Sequence, residues 1–161
     1  MKHVRQLRHG RSVADAVLGV GIALAGTLAM APAATAVTPD TATLSFDCGS
    51  YGSGTATLTA TQDGTAATIS VSTSAITSPI DLGANSVSSK LTLTKNGSGT
   101  TEFSGSSNPA IPAGSAVSTG PLTGTVAAGD SLEATSLQVK VLGITATCNA
   151  TSPQSPGPFV F

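Results

Sequence analysis

An antiparallel β-sandwich, immunoglobulin-like and of about seven to eight short strands, is the fold class this sequence predicts. Apolar residues recur at every second position through most of the chain, the signature of strands with one buried and one wet face. Clusters of Gly, Asn, Asp and Ser break the alternation at short intervals. Helical periodicity is missing beyond the opening apolar segment.

The strands follow from parity. Leu44, Phe46 and Cys48 share one face of "TATLSFDC", Ala56, Leu58 and Ala60 one face of "TATLTAT", and Ile69 and Val71 one face of "AATISVS". The alternate positions there are Thr, Ser or Asp. Leu91 and Leu93 point together in "SKLTLTK", Phe103 points inward from "TTEFSG", Leu122 and Val126 flank Gly124 in "PLTGTV", and Leu137, Val139 and Val141 alternate with Gln138 and Lys140. Between strands, "GSYGSG" (49–54), "QDG" (62–64) and "KNGSG" (95–99) carry turn chemistry; Asn96-Gly97 is a strong type I′ hairpin signal. The longer stretches "ITSPIDLGANS" and "NPAIPAGSAVSTGP" read as crossings over the ends of the sheets.

In the last alternating stretch the inward set changes from residues 137, 139 and 141 to 144, 146 and 148. One residue has to be absorbed between Leu142 and Ile144, and a bulge at Gly143 is the expected device. Beyond it Cys148 faces the core, as Cys48 does from the first strand, so a disulfide is expected to tie the first main strand to the last. Closing a loop of about 100 residues is worth ~4.7 kcal/mol in the chain-entropy model, against a native stability of about 5–15 kcal/mol.

The compartment follows from residues 1–36. Lys2, Arg5, Arg8 and Arg11 precede an uncharged apolar run that ends in "APAATA", with Ala34 and Ala36 at the −3 and −1 positions of a cleavage site. A signal peptide helix over 1–36 is expected, cleaved after Ala36. With no twin arginine and no cysteine before Cys48, the Sec route and release from the cell or retention in its wall are expected, with no stable membrane insertion after cleavage. The organisation is then signal peptide 1–36, β-sandwich domain 37–151 and a Pro-rich tail 152–161 with an apolar end.

Removing residues 1–36 changes the chemistry available. The remainder has no His, Arg, Met or Trp, and three lysines face seven acids, a formal balance of −4 where the whole chain has −1. Without histidine there is no Ser-His-Asp arrangement, and two cysteines cannot close a tetrahedral zinc site. Three scattered lysines and five aromatic residues give neither a phosphate-binding face nor a base-stacking platform, so nucleic acid is not an expected partner. Asp130 and Glu133 in "AAGDSLE" are the closest carboxylate pair, but they sit at a turn and strand start where acids are ordinarily solvated; Asp130 or Asp81 lacks the loop a calcium site needs. No catalytic, cofactor-binding or metal residue is assigned, no cofactor is expected, and Cys48 and Cys148 are the only special residues. "NGS" (96–98) and "NAT" (149–151) match the glycosylation sequon by pattern alone. In the tail, Pro153, Pro156 and Pro158 exclude regular structure, while Phe159, Val160 and Phe161 either pack back over the core as a short edge strand or dock on a partner's sheet edge.

The opening "ATLSFDCGSYG", the midsection "NPAIPAGSAVSTGPLTGTVAAG" and the closing "ITATCNATSPQ", together with the export signal, resemble uncharacterised small secreted β-sandwich domain proteins of actinobacteria, a family of unknown function. The resemblance spans most of residues 37–161 and implies an extracellular sandwich with no established catalytic residues. The chain is also similar to the enediyne-binding apoproteins of the same bacteria, Thr/Ala/Gly-rich sandwiches with a ligand cleft, although those carry short-range disulfides. The expected function is a secreted, non-enzymatic structural or binding module with a protein or cell-wall partner. The alternative is a carrier of an apolar small molecule in a sandwich cleft. A pocket lined by Phe46, Phe103 or leucines would mark the carrier; an interior filled by those side chains would mark the module.

Overall fold

The computed structural model describes residues 36–161. The segment expected to be a signal peptide lies outside the described residues apart from Ala36. The strands are β1 (Thr41–Asp47), β2 (Ser53–Asp63), β3 (Ala66–Thr77), β4 (Val87–Lys95), β5 (Gly99–Gly105), β6 (Ala116–Thr125), β7 (Ser131–Val141), β8 (Ile144–Ala150) and β9 (Phe159–Val160), with a 3₁₀ turn at Gly49–Tyr51. Every alternating stretch read above becomes a strand, because Thr, Val and Ile suit a pleated, half-buried surface.

The architecture corrects the expected immunoglobulin-like β-sandwich. The strands follow the order β4-β5-β6-β3-β2-β1-β8-β7, and β4 then pairs with β7, so eight antiparallel strands close into a barrel. The closing ladder runs from Val87 opposite Val141 to Lys95 opposite Leu132. β9 adds to the outside of this ring on β7. Period-two alternation reports one buried face per strand and is the same for two facing layers as for a single sheet curled on itself, which is why it did not separate the two.

Two seams of the ring are thin. The β5–β6 ladder consists of the single pair Ser104–Thr123, and the β1–β8 ladder of Phe46–Ala150 and Asp47–Asn149. The Cys48–Cys148 disulfide, with a sequence separation of 100, sits one step further along the β1–β8 register and closes that seam covalently. Beyond Ala150, residues 151–158 continue between β1 and β7 without regular strand structure. Ser155 exchanges backbone hydrogen bonds with Thr43, and the buried Gln154 accepts from Ala134 N–H and donates to the Gly157 carbonyl. The prolines of this stretch bar a ladder, and a buried side-chain amide supplies bonds that a strand would have made.

The interior is filled by Phe46, Phe103, Leu58, Ile69, Leu91, Leu93, Leu122 and Leu137, all fully buried. Gly124 makes room for one of them: a Cβ there would lie 2.7 Å from the Phe103 ring. At the end of the barrel where β4 finishes and β7 begins, Phe159 and Phe161 turn back into the core, and Phe161 packs 6.5 Å from Phe103 between ring centroids. Val160 pairs with Thr38, and Val37 is buried beside it. Of the two readings of the apolar tail, packing back is the one realised.

The stretch around Gly143 is a second correction. Residues 131–150 are not one bulged strand but a hairpin, with Val141 opposite Ile144 and a two-residue turn at Leu142 (φ 49°) and Gly143 (φ 84°). A turn reverses the chain and shifts the inward parity by one, as a bulge would. Leu137, Val139, Ala146 and Cys148 are buried as read, whereas Ile144 is exposed because the hairpin tip projects beyond the barrel wall.

Two stability outcomes follow. Replacing both cysteines by serine lowers the unfolding free energy by about 2–5 kcal/mol in urea titrations. Gly124→Ala, which drives a methyl group into the Phe103 ring, costs about 1–3 kcal/mol in the same measurement.

Candidate functional site

The barrel end opposite the Phe159–Phe161 plug is open. Its rim is built by the β7–β8 hairpin tip, the 3₁₀ turn at Gly49–Tyr51 and the β3–β4 crossing (78–86), and it surrounds a recess of about 230 Å³. Val117, Val139 and Leu82 line its inner part, and Tyr51, Ile80, Leu142 and Ile144 lie around it. No Lys, Arg, Asp or Glu takes part in the lining. Among the described residues the exposed large apolar side chains are Tyr51, Ile80, Leu142, Ile144 and Val160, and all but Val160 belong to this recess. Isolated surface apolar residues need no explanation, but a cluster around a concavity does.

The rim is held in place by polar side chains. The two crossings 78–86 and 106–115 are laced together by reciprocal backbone bonds between Leu82 and Ile111 at 2.8 and 2.9 Å. Buried Asn108 accepts from Val87 N–H at 2.8 Å and donates to the carbonyls of Gly83 at 3.1 Å and Pro109 at 2.6 Å. Asp81 accepts from Ala113 N–H at 2.8 Å, so its carboxylate is engaged in the same lacing. Behind the recess, Thr119 donates to Ser89 at 2.7 Å, pairing two hydroxyls that would otherwise be buried unsatisfied.

Leu142 is the residue with the least local justification. It is 73% exposed and adopts a positive φ, where a left-handed backbone costs an L-residue roughly 1–2 kcal/mol. The β4–β5 hairpin supplies an internal comparison: Asn96 (φ 53°) and Gly97 (φ 77°) adopt the same pair of positive angles, with the favoured Asn in the first place. At that turn Asn96 also donates to Asp130 and accepts from Ser131 N–H. At the recess, a leucine holds the equivalent place and Ile144 beside it is 59% exposed.

The carboxylates lie elsewhere. Asp130, at the plugged end, is buried; its Oδ2 accepts from Lys95 Nζ and Ala127 N–H, both at 2.7 Å, and its Oδ1 from Asn96 at 3.2 Å. Both oxygens are therefore committed to joining the β4–β5 turn to the β6–β7 loop. Glu133 Oε1 instead accepts from Gln154 N–H at 3.4 Å, so the two acids have separate partners. Phe46 and Phe103 fill the interior and do not line the recess. Tyr51, Ile80 and Leu82 stand in segments that read as a turn and a crossing, where alternation gives no inward direction, and Leu142 stands where the parity predicts a bulged strand and the structure has a hairpin tip. An apolar residue before Gly143 at a change of parity was the available signal for Leu142. No family model, curated protein or solved structure matches the chain.

The Asp130 cluster has a pH consequence. The hydrogen bond from Lys95, aided by those from Ala127 and Asn96, lowers its pKa below the ordinary value of 3.8 against the opposing effect of burial. A carboxylate with a native pKa below its unfolded one stabilises the fold fully above the unfolded pKa. That contribution is lost as the pH falls from about 4 through the lower native value. Asp130→Asn therefore lowers the melting temperature at pH 7 and shrinks the difference between pH 7 and pH 3, as differential scanning calorimetry will show.

Proposed function

We propose that the protein is a secreted, non-enzymatic binding module whose contact site is the open apolar mouth of the barrel. The observation that carries this reading is the gathering of Tyr51, Ile80, Leu142 and Ile144 around one recess, on a surface otherwise dominated by Thr, Ser and Gly. Export by the Sec route with cleavage after Ala36 belongs to the same proposal. The Cys48–Cys148 disulfide is compatible with an oxidising compartment, and no described helix is long and apolar enough to cross a membrane. Val37, which would open the processed chain, is itself a core residue. Kinship with the small secreted actinobacterial domains is also proposed and rests on composition and on the places of Cys48 and Cys148.

The filled interior favours a module over a carrier with a ligand cleft at its centre, since Phe46 and Phe103 leave no such cleft. Binding is therefore assigned to the mouth. The apolar fluorophore N-phenyl-1-naphthylamine is expected to bind the folded, disulfide-intact protein saturably at one equivalent. Ile144→Glu abolishes that signal without changing the far-ultraviolet circular dichroism. Absence of saturable binding by the unaltered protein removes the reading.

A further inference from the structure

We propose that the mouth takes a neutral aliphatic small molecule of roughly nine to ten heavy atoms, and that Leu142 is held in its unfavourable turn conformation as the clamp that covers it. The proposal rests on the binding reading above and names the class of ligand for that site.

Size is the first ground. A cavity of about 150 Å³ lined by aliphatic and aromatic side chains holds benzene, so a recess of about 230 Å³ holds half as much again. A specific protein partner ordinarily engages about 20–30 residues a side, more than the thirteen that line this recess. Flanking surfaces are Thr and Ser rich.

Charge is the second. The lining offers no ionised group to pair with a buried ion, and an unpaired charge is costly to remove from water. The polar side chains free at the edge are the Tyr51 and Thr77 hydroxyls, since Ser78 is buried and donates to the Ile80 carbonyl at 2.6 Å. Tyr51 is about half exposed and can both donate and accept. A ligand with an apolar body and one uncharged polar end, such as a medium-chain alcohol, matches this distribution.

The third ground is Leu142. Asn96 shows what a turn with these angles takes when folding alone decides: an Asn, hydrogen-bonded on both sides. At the mouth the same angles carry an exposed leucine that makes the hairpin less stable and the surface less soluble. Strain retained at a binding site is repaid by the ligand. A leucine at the tip, beside Ile144, places branched carbon over the recess where an asparagine would place an amide.

The test is displacement of N-phenyl-1-naphthylamine from the folded, disulfide-intact protein by 1-octanol, octanoate and octylammonium at pH 7.5, with Leu142→Asn beside the unaltered chain. Octanol is expected to displace the fluorophore saturably, with both ions at least tenfold weaker. Leu142→Asn should weaken octanol by about fivefold while raising the melting temperature by about 3–5 °C. Equal displacement by octanoate or octylammonium overturns the neutral ligand. Unchanged octanol affinity, or a lower melting temperature, in Leu142→Asn overturns the clamp. Fluorophore binding that octanol does not compete overturns this inference and leaves the binding reading standing, whereas no fluorophore binding at all removes both. Sedimentation showing a dimer that Leu142→Asn dissociates also overturns it, since a second copy would then cover the mouth.

Discussion

Backbone hydrogen bonding between β4 and β7 joins the two ends of a single twisted sheet, and the placement of nearly every other feature depends on that ladder. Once Val87 stands opposite Val141 and Lys95 opposite Leu132, the inward positions of eight strands converge on one interior. Six fully buried leucines and the rings of Phe46 and Phe103 then fill that interior. Closure also pairs β4 with β7, the two edges along which an open sheet of this order would be prone to pair with other chains.

The ends have been treated differently. At one, aromatic residues 159 and 161 fold back as a plug, Val37 packs beside them, and the Asp130–Lys95 pair with Asn96 knits the adjacent loops. Here both oxygens of Asp130 have partners and each large apolar side chain apart from Val160 is covered. At the other, polar side chains such as Asn108 and Asp81 hold the rim in shape, yet apolar side chains stay in contact with solvent. A chain that covers one end with aromatic rings, and puts asparagine in its hairpin, has leucine in the hairpin of the other. That contrast, more than the recess itself, is the ground on which the binding proposal assigns its site to the open end.

Stability and the site are linked through the thin β1–β8 seam. Only two residue pairs join these strands before Cys48 and Cys148 continue the register, and the 3₁₀ turn that carries Tyr51 begins directly after Cys48. The disulfide therefore anchors the Tyr51 side of the mouth as well as restricting the unfolded chain. Surface ion pairing adds little: Lys90 and Glu102 meet at 3.0 Å but are both well exposed.

Local alternation determined a great deal. It placed much of the buried face of β1 to β8, located the turn at Asn96-Gly97, and brought Cys48 and Cys148 to one interior, because strand period and turn chemistry are properties of neighbours in the chain. Closure into a barrel, the hairpin at Leu142-Gly143 and the mouth were decided only in three dimensions. A period of two is blind to whether the first and last strands of a sheet meet, and a shift of parity is the same for a bulge as for a reversal. Tyr51, Ile80 and Leu142 lie in irregular segments, where sequence neighbours do not define an inside, so their common recess exists only once distant strands have brought three loops to one end of the barrel.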